Sequence, residues 1–345
     1  MLTPVSTLIA LALSAPVGQI AEAPDRLVTP YGVELTSDGR VFVLFAALNG
    51  LGYSEETQRK GPPLAAPVYH PVRAQVREAM RKLDDEGKLA DIRKFFDANP
   101  ASIDAYASAL LSYDVALDKP LAELPADLKK LGAIAPLVKK LGADPLFAKV
   151  YEDALVLQRR QASEMAARLD KTFGAAKKHL NLADLRAPLS IVVVPNPLDA
   201  HDSVRAVAVG QTTYLIVGPG LDAGAHAALE ATLRPMIRAA VAKAYPAAAK
   251  LKKQWGEIKP LYKRIAAEYG DGDVYAAETL MGILSFQIKG ILSGLPPVAT
   301  AEDDFVEQQV KLGLRWTKPL LQGLANRGAD PIDVTIGKII PKVTP

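Results

Sequence analysis

Residues 220–237, "GLDAGAHAALEATLRPMI", place an imidazole and a carboxylate one helical turn apart. His226 and Glu230 stand at i and i+4 and project from one face of the helix that this stretch predicts. A further acid, Glu278 in "AETLMGIL", sits in an unusual place. The apolar stripe of its segment is Val274, Met281, Leu284 and Ile288, and Glu278 falls inside it. A carboxylate on the buried face of a helix needs a partner, because burying a charge unpaired is expensive. Two chemistries suit these side chains. One nitrogen and two oxygens can hold a divalent metal, more weakly than two imidazoles and one carboxylate would. Alternatively His226 pairs with Glu230 along the helix, a contact of about 0.2–0.5 kcal/mol, or with Glu278 across two helices.

Positioning those residues needs a strand, a turn and two long helices, and the sequence supplies all of them. From Leu189 the chain changes texture. "LSIVVVPNPL" is β-branched and closed by Pro-Asn-Pro, "SVRAVAVG" alternates, and "QTTYLIVGPG" follows a tight turn at Gly210, so a small sheet of about three strands is expected. The helix after it spans about Asp222 to Tyr245. Its stripe is Leu229, Leu233, Ile237 and Val241, with a kink expected at Pro235. Helices are also expected at about Trp255–Tyr269, through "VYAAETLMGILSFQIKGIL", and from Ala301 to about Leu324. Before Leu189 the chain reads as helical. "YGVEL" is a short strand, and a helix capped by Ser37 runs to Asn49-Gly50. Helices then follow at about 72–83, 89–98, 103–111 and 121–138, and a long segment at 145–180 reads as more than one helix. The proline-rich "KGPPLAAP" reads as a loop. The fold class is α+β, predominantly helical: a helical N-terminal lobe over 24–186, then the sheet and C-terminal helices over 187–345, in one continuous unit.

Composition narrows the function. Apolar residues at 49% and charged residues at 23% describe a globular chain that can bury a large core. A formal charge of +3 with no aromatic-basic interleaving argues against nucleic-acid binding. Without cysteine there is no disulfide, no thiolate metal site and no cysteine nucleophile. Beyond the N-terminal leader no stretch is apolar for long enough to span a membrane. The other histidines read as surface residues. His70 precedes a proline, His179 ends a lysine-rich helix, and His201 lies in a turn. Asp199, His201 and Ser203 are near in sequence but lack a Gly-x-Ser-x-Gly elbow, so a serine-hydrolase triad is set aside. "GPGLDAG" lacks the spacing and the lysine of a phosphate loop.

The stretches "VFVLFAALNGLGY", "SIDAYASALLSYD", "IVVVPNPL" and "YLIVGPG", followed by the helices around His226 and Glu278, carry a diffuse resemblance over about residues 31–295. The chain resembles a family of uncharacterised bacterial exported proteins regarded as gluzincin-like zinc peptidases. In gluzincins a His-Glu-x-x-His helix supplies two zinc ligands and a general base, and a downstream helix supplies a glutamate. The resemblance implies that His226 is the first ligand and Glu278 the third. Glu230 stands where the second histidine is expected, and Ala227 where the catalytic glutamate is expected. A methyl group cannot transfer a proton, so no catalytic residue is expected. The expectation is therefore a non-catalytic pseudo-peptidase that needs no cofactor and binds a peptide or protein partner along its sheet edge. The alternatives are a zinc hydrolase using His226, Glu230 and Glu278 with a base from Glu268 or Asp273, and a purely structural envelope protein.

At the N-terminus the apolar run Leu8–Leu13 is followed by Ala21-Glu22-Ala23, which resembles a secretory signal over residues 1–23 and implies export to the periplasm or beyond. The mature protein from its native host should then begin near Pro24. Intact-mass measurement checks this, and a soluble folded chain that retains residues 1–23 would contradict it.

Overall fold

β-branched runs and helical stripes assemble here into one mixed sheet with helices on both faces. The computed structural model describes residues 26–53, 71–121, 123–187, 190–294 and 299–343. The proposed leader, His70 and the "KGPPLAAP" loop lie outside the described residues. Strands β1 (Arg26–Val28), β2 (Val33–Thr36), β3 (Ser190–Pro195), β4 (Val204–Val209) and β5 (Thr212–Val217) take the order β1-β2-β3-β5-β4. β2, β3 and β5 are parallel, and β1 and β4 close the two edges antiparallel. The fold is α+β and predominantly helical, as the sequence predicts. The sheet is larger than the three strands expected. β2 reaches from the N-terminal part of the chain to pair with β3, Val33 against Ile191, and brings β1 with it.

One face of the sheet carries α1 (Gly39–Gly50), α2 (Pro71–Asp85), α3 (Ala90–Ala98), α4 (Ile103–Leu111), α5 (Ala126–Lys129) and α6 (Ala135–Gly142). Phe42, Phe45, Met80, Leu110 and Phe147 pack there against Val192, Val194, Val207 and Ile216. The other face carries α8 (Leu221–Ala244), α9 (Ala249–Ile258), α10 (Lys263–Tyr269), α11 (Gly272–Ser293), α12 (Ala299–Lys311), α13 (Thr317–Ala325) and α14 (Ile332–Ile339). The α8 stripe Leu229, Leu233, Ile237 and Val241 is buried there with Val33, Leu35, Val193, Leu215 and Tyr275. Between the faces runs α7 (Pro145–His179), a single unbroken helix rather than the several expected. Its Phe147, Tyr151 and Ala154 belong to the first core, and its Met165, Leu169, Phe173 and Ala176 to the second. That change of partner midway is what makes its pattern look like two helices.

Other boundaries moved for local reasons. Asp38, not Ser37, caps α1, its carboxylate accepting from the backbone N–H groups of Arg40 and Val41. Asp38 also pairs with the Arg40 guanidinium, and both side chains are 5% exposed. Burial is the largest single influence and works to lower the Arg40 pKa, but Asp38 and Tyr214 together leave it raised. The expected helix at 121–138 divides into α5, a 3-10 turn and α6, and that at 255–269 divides around Lys259–Leu261, where Pro260 cannot continue an α-helix. The expected 301–324 helix breaks at Gly313, whose φ is +95°.

The turn that leads into α8 leaves no room for a side chain. A Cβ at Gly218 would strike the Ala200 carbonyl oxygen and the Ser203 hydroxyl, and one at Gly220 (φ +127°) would strike the Asp202 carboxylate. Gly218→Ala should cost about 1–3 kcal/mol through forced backbone movement. Gly256→Ala, in α9 with open space around it, should gain about 0.5–1 kcal/mol from helix propensity. Chemical denaturation of the two variants, read as a midpoint shift at constant m-value, checks both.

Candidate functional site

α8 begins directly after the β5 turn and lies against α7 and α11, so its first turns hold His226 and Glu230, both half-buried, at the end of the sheet. His226 Nδ1 lies 2.7 Å from the Asp222 carbonyl oxygen, one turn back, to which Nδ1–H donates. Nε2 is buried and without a hydrogen-bond partner among the described residues. Glu230 accepts a hydrogen bond from the Ser285 hydroxyl of α11.

Glu278 sits elsewhere. Its Oε1 accepts from Arg238 Nη2 at 2.7 Å and Nε at 3.1 Å, and Arg234 Nε approaches the same oxygen to 3.2 Å without hydrogen-bond alignment. α8 and α11 pair so that Ser285 meets Glu230 while Glu278 meets Arg234 and Arg238. At 1.5 Å of rise per residue, this puts Glu278 about 12–18 Å along the α8 axis from His226. The three proposed ligands therefore do not converge, and Glu278 is not the partner of His226. Among the described residues no group of three or more His, Asp or Glu side chains could hold a metal ion. Glu278 does need a partner, as its place in an apolar stripe predicts, since its side chain is only 12% exposed, and arginines on the facing helix supply it in place of His226.

The remaining candidates are dispersed as well. Ala227 packs against the second core. Glu268 pairs with Arg264 at 2.9 Å. His201 pairs with Asp202 at 3.0 Å, and buried Asp199 binds Tyr53 and Arg205, so Asp199, His201 and Ser203 form no triad. Half-buried His179 contacts Gln287 at 3.0 Å, and burial lowers its pKa.

A different feature of the same end of the sheet was not anticipated residue by residue. β4 is an edge strand, and the hairpin at Gly210 fixes which of its backbone groups are used. The Gly218 N–H donates to the Ser203 carbonyl at 2.9 Å. In an antiparallel ladder bonded pairs alternate, so Arg205, Val207 and Val209 turn their backbone groups to β5. Val204, Ala206 and Ala208 turn theirs outward, and no described residue takes them up. Ala206 and Ala208 are exposed. The usual guards of an edge are a lysine, a proline, a bulge or a covering element, and α4 packs beside β4 without taking up its outward groups among the described residues. β4 carries only Arg205, whose guanidinium is folded onto Asp199 at 2.8 Å, the Tyr53 hydroxyl at 2.8 Å and Asp104 at 3.3 Å. The signal in the sequence was the small residues alternating in "SVRAVAVG".

The chain matches no protein-family model, no curated protein and no solved structure.

These contacts make the α8–α11 polar seam testable. Glu278→Gln should destabilise by about 1–2 kcal/mol, and a double-mutant cycle with Arg238→Gln should return a coupling of about 0.5–1 kcal/mol. His226→Leu should be neutral or slightly stabilising, because it removes a buried ring nitrogen that has no hydrogen-bond partner among the described residues and strands no carboxylate. Thermal melts of the four proteins check this. A large loss from His226→Leu would mean that Nε2 has a partner after all.

Proposed function

We propose that this protein is a non-catalytic, gluzincin-like binding protein that takes up an extended polypeptide segment as an added strand on β4. The observation that carries the reading is the outward-facing backbone of Val204, Ala206 and Ala208, which no described residue takes up, on an edge that has no lysine, proline or bulge. Strand addition obtains its affinity from main-chain hydrogen bonds, and small side chains on the receiving strand let the incoming backbone approach. The order of elements, with a hairpin leading into the helix of His226 and Glu230 and then the long helix of Glu278, follows the order that the gluzincin resemblance implies. Ala227 in the general-base position and the engagement of Glu278 with two arginines favour binding over hydrolysis. Export to a bacterial envelope, read from the leader, is part of the same proposal. No helix among the described residues is long and apolar enough to cross a membrane. A metal-dependent hydrolase is the second reading, and it draws on the unpartnered Nε2 of His226.

Panning a displayed random-peptide library against the full chain tests the proposal. Bound peptides should slow amide exchange at Ala206 and Ala208. Ala208→Pro deletes one outward N–H without touching the β4–β5 ladder and should weaken binding about tenfold. Peptides that protect other strands, or zinc-dependent peptide cleavage lost in His226→Ala, would replace this reading.

A further inference from the structure

The far side of the second core presents a surface of different character. From Ala249 to Arg264 the chain carries six basic residues against the single acid Glu257, more positive charge than the formal +3 of the whole protein. Lys250, Lys259 and Lys263 are exposed and have no acidic side chain in ion-pair range among the described residues. Among these cations stand two apolar tips. Leu261, after Pro260 in the turn between α9 and α10, is 69% exposed, and Leu312, at the end of α12, is 53% exposed. Both exceed every other large apolar side chain near them, Val310 included at 41%.

The tips are not frayed loops. Arg315 Nη2 donates to the Tyr262 hydroxyl at 2.7 Å, and its guanidinium lies over the Tyr262 ring at 5.3 Å. Arg264 Nη2 reaches the Leu312 carbonyl oxygen at 3.5 Å. Beneath them the Tyr275 hydroxyl donates to the Gly313 carbonyl at 2.7 Å and accepts from the Arg315 N–H at 2.8 Å. Tyr275 is itself wedged between Trp255 and Trp316. A buried aromatic base thus holds two leucines outward beside a basic segment, in which Lys253 and Arg264 are paired with Glu257 and Glu268 and the other lysines have no acidic partner among the described residues, and the exposure is built in.

We infer that the surface formed by residues 249–264 and 310–315 docks on an anionic lipid bilayer, with Leu261 and Leu312 entering the acyl boundary and the surrounding lysines and arginines meeting the headgroups. Charge complementarity selects an anionic partner, since lysine-rich surfaces are drawn to anionic leaflets. The protruding leucines select lipid over nucleic acid, which would call for free aromatic faces to stack on its bases, whereas Trp255 and Trp316 are buried and the Arg315 guanidinium lies over the Tyr262 ring. The same pairing of apolar tips with a basic rim anchors peripheral proteins in the interface plane without a spanning helix.

Co-sedimentation of the full chain with sucrose-loaded vesicles tests the inference. The protein should pellet with phosphatidylcholine vesicles that contain phosphatidylglycerol and stay in solution with phosphatidylcholine alone. Rising salt should release it. The double change Leu261→Ser with Leu312→Ser should weaken partition about tenfold or more, as should Lys250→Gln with Lys263→Gln, with melting temperatures unchanged because all four sites are exposed. Leu261→Ser alone should give a smaller loss in the same direction. Failure to pellet with the anionic vesicles at low salt would overturn the inference. So would undiminished pelleting of the leucine variant together with equal binding to single-stranded DNA, which would mean adsorption by charge alone.

Discussion

One helix has to serve two cores. α7 passes across the carboxyl ends of the parallel strands, where Gln158 Nε2 donates to the Pro195 carbonyl at the end of β3 at 3.2 Å. Before that point its side chains fill the core under α1, α2 and α4, and after it the core under α8 and α11. The two layers are therefore set relative to the sheet by a single rigid rod. The position of α8, and with it of His226 and Glu230, follows from where the second half of that rod lies. Gly224 of α8 comes so close to Met165 of α7 that a Cβ would crowd it, and Asp222 lies 3.5 Å from Arg168 of the same helix.

The polar residues at this end of the molecule divide between two tasks. Glu230, Glu278, Arg234 and Arg238 with Ser285 form a seam that joins α8 to α11. Tyr53, Asp104, Asp199 and Arg205 form a second group that ties the α1 end and α4 to β4. The second group keeps Arg205 turned toward α4. The face of β4 that looks toward α8 is left to Ala206 and Ala208. An open edge and a closed helix seam thus arise from neighbouring residues, because Glu230, Glu278, Asp104 and Asp199 each already face an arginine or a hydroxyl.

Much of this was legible from periodicity. Ile103–Leu111, the three strands after Leu189 and the buried stripe of α8 stand where their patterns place them. What escaped depends on partners distant in sequence. β1 is three exposed residues and is a strand only because β2 is beside it. β2 itself depends on β3, well over a hundred positions away. The site shows the same division. The need of Glu278 for a partner could be read from its place in an apolar stripe. The identity of that partner could not, because the arginines that meet it lie on another helix whose register no local pattern reveals. The outward groups of β4 were closer to legible, since the turn at Gly210 and strict alternation fix them once the strand is known to be an edge.

The pairing of Val33 with Ile191 also bears on how the chain reaches this state. β2 emerges early, yet its parallel partner follows only after six helices among the described residues and the long rod of α7. During synthesis at about 5–20 residues per second, β2 and the apolar side of α1 wait on the order of ten seconds for β3 to appear. The closing of the sheet is a contact of very high sequence separation, and the loop-closure entropy must be met before the pairing returns any stabilisation. Until then the first layer must hold itself together through contacts that are local in sequence, such as α1 with α2 and α4. A nascent chain of this design leaves the β3 side of β2 open for nearly half of its own translation, the interval in which a strand edge is most exposed to aggregation.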